Sequence, residues 1–339
     1  MRPSFSIIFF TVLSGAGYGL WFLIGLGVAV HWPLCSALPA VAGSAVTLAM
    51  CGYPGVVDYG LAAGFILVSA GLIASLGHLG QPQRAWRALS QWRSSWLSRE
   101  GVASVVTYAP GAALLFIAGV TLLSPSVNAV RWLSWMRPLG ALLAISAAAT
   151  VFCTAHIYSS LKPIRAWHNR WVVPAYLLLG LHGGVLSLWA LAMLPGAWSA
   201  HETPALLTGL IMVAVSCAVL KGLYWRHIDR DPAPSAGYAT GLESLGSVRS
   251  FEQPHTEENY LTHEMGFVLA RKHSRKLRAI VWVTGFLVPA LLAILGLALP
   301  GSRGGAALLA FLAGMSGIFV ERWLFFAEAK HAVMAYYGR

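Results

Sequence analysis

The 339-residue chain is 57% apolar and only 10% charged, less than half the roughly 25% charge of a soluble domain. That balance excludes a disordered chain, which needs low hydrophobicity and high charge, and leaves too few charges to clothe a soluble globule of this size. The net charge is nevertheless +11, from 23 Lys and Arg against 12 Asp and Glu. In so apolar a chain this points to the basic loops of a polytopic membrane protein rather than to nucleic acid.

A spanning helix needs about 20 mostly apolar residues, and eight segments qualify: 6–30, 57–79, 101–123, 138–159, 172–194, 204–224, 279–299 and 305–329. The expected fold is an all-α membrane bundle of eight helices, or nine if the Pro- and Gly-broken apolar stretch 34–52 also spans. The first run exceeds the apolar core of a signal peptide, about 7–15 residues, and is expected to stay as a span. Trp132, Trp135, Trp167, Trp171, Tyr224 and Trp225 sit at span ends, where interface-seeking rings gather. Residues 1–339 read as a single integral membrane domain.

With eight spans, 20 of the 23 basic residues fall on one side and three, Arg131, Arg137 and Arg303, on the other. The basic side is expected to be cytoplasmic, and both termini with it. A ninth span would move only Arg2. The one long connection, 225–278, lies on that side, with acidic residues Glu252, Glu257, Glu258 and Glu264 and a basic run from Arg271 to Arg278. Loops of this length are usually functional or bound to something. This one is expected to dock a cytoplasmic partner; a solvated linker is the plainer alternative.

Chemistry concentrates on the same side. The second span is expected to end near Gly80 and Pro82, which puts His78 in its last turn. Beyond it Ala85, Leu89, Trp92 and Trp96 recur at i, i+4, i+7 and i+11, with Arg84, Arg87 and Arg93 on other faces. That is the pattern of an amphipathic helix lying in the interface. Ser98 is expected to cap the third span, with Glu100 in its first turn. Each residue has a modest explanation: helix capping for His78, complementing the macrodipole for Glu100, holding lipid headgroups for the arginines. Together they put a histidine and a carboxylate at one membrane level beside Arg84 and Arg99.

In the last span Glu321 lies about 22 Å into a core about 30 Å thick. An ionisable residue at that depth must face the bundle interior and find a partner. Neighbours on a helix do not face each other, so Glu321 and Arg322 are expected to pair with other spans. The set His78, Arg84, Arg99, Glu100, Glu321 and Arg322 suits proton exchange with a quinone. The His and Glu would act as acid and base, and an Arg would stabilise negative charge.

The electrons need a partner. Cys35, Cys51, Cys153 and Cys217 are far apart, with no C-x-x-C, so the chain holds neither an iron–sulfur cluster nor a zinc site of its own. A haem b anchor is one rival reading. His156 and His182, however, differ in depth by roughly 12 Å, a poor match for two axial ligands; His78 with His156 fits better by depth. A transporter is the other rival, and would place polar or broken-helix residues at mid-membrane, where only His182-Gly183-Gly184 stands. More simply, His182 packs in the bundle with its ring hydrogen-bonded.

The runs His78-Leu-Gly-Gln-Pro-Gln-Arg-Ala-Trp86, Trp96-Leu-Ser-Arg-Glu100 and Glu321-Arg-Trp-Leu-Phe-Phe326 resemble the dimethyl sulfoxide reductase anchor family (DmsC-like, related to the NrfD and polysulfide reductase anchors). The stretches Pro254–Gly266, Ala270–Arg278 and Lys162–Asn169 are similar to the branch that anchors cytoplasm-facing sulfite dehydrogenases. The resemblance implies a haem-free, eight-span, quinone-binding anchor of the bacterial inner membrane. Such an anchor docks a four-cluster iron–sulfur subunit and, through it, a molybdopterin catalytic subunit, and itself supplies the quinone site. His78 and Glu100 match the family's quinone-site histidine and glutamate. Dimethyl sulfoxide reductase turns its catalytic subunits to the periplasm, whereas the charge count here turns the loops to the cytoplasm. Quinone reduction coupled to sulfite oxidation is therefore expected, with a quinol-oxidising dimethyl sulfoxide or polysulfide reductase anchor as the alternative.

Overall fold

A computed structural model describes residues 3–30, 55–123, 132, 134–195, 197, 203–230, 235–249, 251–252 and 269–337. The stretch 34–52, with Cys35 and Cys51, and the Pro254–Gly266 motif lie outside the described residues.

Eight helical spans are present among the described residues. They are α1 (Phe5–Val30), α2 (Gly55–Leu76), α3 (Trp96–Leu123), α4 (Met136–Ser159), α5 (Val172–Ala192) and α6 (Thr203–Arg230), then a composite seventh span and a last one. The seventh runs from α7 (Leu269–Ile280) through a π-helical stretch, Val281–Leu287, into α8 (Val288–Ala298); the eighth is α9 (Arg303–Ala327). The apolar runs dictate this outcome, because in hydrocarbon every backbone N–H and C=O must be satisfied within the segment.

α1 is the hub, packed against α2, α4 and α5. Small residues allow that approach: a Cβ on Gly19 would fall 1.9 Å from the Gly180 carbonyl oxygen. Trp21, fully buried in α1, donates from its indole to the Leu61 carbonyl of α2 at 3.1 Å.

The π-helical stretch has a local cause. Pro289 lacks the N–H that would bond back to the Gly285 carbonyl. His182 Nε2 of α5 takes that place, 2.8 Å from Gly285 O and wholly buried. The ring is thus hydrogen-bonded inside the bundle, as the plainer sequence reading expects.

Three local features differ from the sequence reading. Pro82–Gln91 forms a 3-10 helix, and the α-helix starts only at Trp96. None of the residues Pro82–Gln91 is buried, so packing that would fix an α-helical period is weak there. Ser98 is therefore inside α3 rather than its cap, and its hydroxyl ties α3 to the Ala88 carbonyl of the 3-10 segment. The long connection is also shorter than 225–278, because α6 runs on to Arg230 and α7 begins at Leu269. At 28 residues, α6 is roughly 42 Å long, more than a core of about 30 Å requires.

Candidate functional site

The predicted site residues separate into a surface group and an interior group. His78 lies just past the end of α2 and is exposed, as is Arg84 in the 3-10 helix. Partial burial lowers the His78 pKa below 6.5 by desolvation. Neither residue is hydrogen-bonded or ion-paired to Glu100, whose carboxylate is held from α4 instead.

Arg99 is half-buried. Its Nε donates to the Trp92 carbonyl at 3.1 Å and an Nη to the Arg93 carbonyl at 2.7 Å, while the guanidinium lies 4.3 Å over the Trp96 ring. These contacts hold it at the mouth of a cleft between α3 and α4. The cleft offers about 470 Å³ and is walled by Val102, Val106, Ala149 and Cys153, with Arg93 and Arg99 at its rim. Ligand pockets run from about 300 to 1,000 Å³. Glu100 stands behind this wall, close enough for its charge to act on Cys153.

Glu100 itself is 6% exposed. Thr154 of α4 donates its hydroxyl to Glu100 Oε1 at 2.5 Å, and no cation among the described residues lies within 4 Å of the carboxylate. In a site closed to water, that carboxyl is held in place by a neutral donor.

The interior group gathers on α6 and α9. Arg322 Nε donates to Glu321 Oε2 at 2.5 Å, so the adjacent pair bonds after all: the long Arg side chain folds back across the helix surface. The expectation of partners on other spans holds for Glu321, whose Oε1 lies 2.6 Å from Lys221 Nζ of α6. All three side chains are 3% exposed or less. An aromatic cage surrounds them, with Lys221 Nζ 3.8 Å from the Tyr224 ring centroid and Arg322 Cζ 4.1 Å from that of Tyr176. Trp167, from the turn between α4 and α5, closes the cage by stacking on Phe325 at 5.6 Å and donating to its carbonyl at 2.9 Å. Desolvated cation–π contacts contribute up to about 2 kcal/mol, which offsets part of the cost of burying the charges.

Below the cage, Arg278 of α7 joins Glu328 at 2.9 Å to Asp229 at 2.7 Å, where the interior meets the surface. Burial raises the Glu328 pKa, and Arg278 opposes the shift.

Sequence reading missed Lys221, Thr154, Tyr18 and Tyr176. Lys221 had a usable signal, since it lies inside an apolar span where any charge suggests a buried partner; a count of charges by side places it among the loops instead. The other three had none, because hydroxyl-bearing residues are common in membrane helices.

The family profile described as DMSO reductase anchor subunit (DmsC) matches residues 52–326. The chain belongs to this family. It is similar to the C subunit of sulfite dehydrogenase from Allochromatium vinosum, 30% identical over 99% of both proteins. It is also similar to the C component of anaerobic dimethyl sulfoxide reductase from Escherichia coli, 28% identical over 55% of this chain and 62% of the relative. The anaerobic dimethyl sulfoxide reductase component YnfH of the same organism is 28% identical over 53% and 61%. No solved structure matches. Membership of an anchor family, with eight spans, makes this a membrane protein, and the DmsC match takes in all six predicted site residues, from His78 to Arg322.

Proposed function

We propose that this DmsC-family anchor exchanges electrons between a partner iron–sulfur subunit and membrane quinone, within a complex whose molybdopterin subunit oxidises sulfite. The observation that carries the reading is the juxtaposition of the α3–α4 cleft with Glu100 behind its wall and Arg99 at its rim. Apolar walls and a rim of cations fit a quinone ring with an isoprenoid tail leaving toward lipid. A bound quinone supplies two-electron, two-proton redox chemistry. For this chain's part, Glu100 holds or releases a proton at its carboxyl oxygen, and Arg99 offers positive charge where negative charge develops. His78, exposed at the end of α2, suits exchange of that proton with the aqueous side.

The full-length similarity to a sulfite dehydrogenase subunit supports sulfite as the partner's substrate. The charge asymmetry supports a cytoplasmic location for the Glu100 end and both termini, in a bacterial inner membrane. Partner docking is supported by apolar side chains on the described part of the α6–α7 connection, where Leu245 is 83% and Phe251 100% exposed.

In the test, Glu100→Gln, Arg99→Gln and His78→Ala are introduced into the intact complex. Assembly should survive, while electron transfer from sulfite to a quinone analogue falls at least tenfold in Glu100→Gln. Undiminished quinone-linked turnover in Glu100→Gln and Arg99→Gln would overturn the site. A complex that reduces dimethyl sulfoxide with quinol and ignores sulfite would instead favour the reductase reading, which the Escherichia coli relatives support.

A further inference from the structure

A small cavity lies among α1, α4, α5 and α9, lined on its polar side by Thr11, Ser14, Tyr18, Thr154, Tyr176 and Arg322. It leaves about 20 Å³ in which a water can be centred, so it has room for ordered water. A quinone ring is far too large for it.

Tyr18 Oη, Tyr176 Oη and both Nη of Arg322, all from lining residues, make no hydrogen bond of good geometry, although Ser104 stands near Tyr18 and Arg322 itself near Tyr176. Their side chains are all more than nine-tenths buried. Buried polar groups are as a rule paired, with protein or with ordered water. Thr11 and Ser14 are already satisfied by backbone carbonyls. Thr154 uses its one proton on Glu100 or the Thr150 carbonyl, which leaves lone pairs that can accept.

We propose that this cavity holds one ordered water, which makes Arg322 the counter-charge of the Glu100 carboxylate. The water accepts from an Arg322 Nη and donates to Thr154 Oγ1, and Thr154 donates to Glu100. A guanidinium has donors only, so every donor in the chain points from Arg322 toward Glu100. The charge inventory agrees. Lys221 and Arg322 face one carboxylate, Glu321, within the cage, while at its Lys221 end Arg278 faces two, Glu328 and Asp229. The cage thus carries one surplus positive charge. Tyr18 and Tyr176, the remaining water partners, both lie within electrostatic reach of Glu100. When the Glu100 proton leaves, the carboxylate offsets that surplus, and the summed charge of Glu100 and the cage falls from +1 to zero. The use of this arrangement in turnover rests on the quinone reading, but the site itself does not.

Two measurements on the intact complex test it without quinone. A cryo-electron microscopy map clear enough to show internal waters should contain a peak within hydrogen-bonding distance of Arg322 Nη and Thr154 Oγ1. An empty cavity in such a map would overturn the proposal. The second is a double-mutant cycle on thermal unfolding with Glu100→Gln and Tyr176→Phe, which removes a water ligand and keeps the ring beneath Arg322. The shifts in Tm should fail to add by about 2 °C or more, because the water couples the two sites. Strictly additive shifts would sink it. Arg322→Gln with Glu100→Gln repeats the cycle more directly where the Arg322 variant assembles, and Tyr176→Phe covers the case where it does not.

Discussion

Lys221 Nζ lies 2.6 Å from Glu321 Oε1, with neither side chain more than 2% exposed. The contact joins α6 to α9, and Arg322 adds a second cation to the same carboxylate. Two cations sharing one anion make the three residues unequal.

Glu321→Gln leaves Lys221 and Arg322 facing each other without an anion, and removing one partner of a buried ion pair costs about 3–5 kcal/mol. Lys221→Met leaves a neutral Glu321–Arg322 pair and fills the space with an apolar chain, so its cost should be clearly smaller. Thermal unfolding of the purified complex in detergent separates them. Equal losses would contradict the inventory.

Helix approach at α1 sets a second expectation. Gly19→Ala places a methyl 1.9 Å from the Gly180 carbonyl oxygen, whereas a methyl at Gly119 of α3 meets nothing within 4 Å. Overpacking costs about 1–3 kcal/mol, and an Ala that fits in a helix gains roughly 0.5–1 kcal/mol over Gly. Gly19→Ala should lower the Tm and the yield in membranes; Gly119→Ala should hold or raise both.

His78 provides a pH signature. Its pKa in the fold is lowered from 6.5 by burial, so the unfolded chain binds its proton more readily. Stability contributed by the neutral ring is therefore present above about pH 6.5 and is lost as the pH falls through the window just below it. The site is partly exposed, so the effect is small. Comparing Tm between about pH 5 and pH 8, His78→Ala should flatten part of the acid-side decline. A profile identical to the wild type would remove this assignment.

The α6–α7 connection carries the docking expectation. Deleting 235–265 removes Leu245 and Phe251, both strongly exposed, and should release the partner subunits while the spans stay folded in the membrane. Membrane-bound partners after the deletion would place docking elsewhere. Fractionation followed by immunoblotting reads the result.

All eight spans were legible in the residue order because each apolar run of about 20 residues has one acceptable state in hydrocarbon; the observed ends differ from the expected ones by only a few residues in most cases. The motif around His78 and Glu100 was legible as residues but not as one cluster. The structure buries Glu100 against Thr154, leaves His78 exposed, and sends Arg99 to the rim of a cleft. Which side of α3 a residue takes depends on helix rotation, and rotation is set by packing partners far away in sequence.

An eight-span membrane protein of the DmsC type, with most of its basic residues toward one side, thus follows from the amino-acid order alone. Hydrophobic length, loop charge and family motifs are local properties that composition and order carry directly. Which charges meet is settled only by packing in three dimensions. Lys221 finds Glu321 a hundred residues on, Arg322 turns back to the same carboxylate, and Tyr18, Tyr176 and Arg322 border one cavity beside Thr154. Those relations depend on how α1, α4, α5, α6 and α9 are rotated against one another, and that follows from close packing and the need to pair every buried charge.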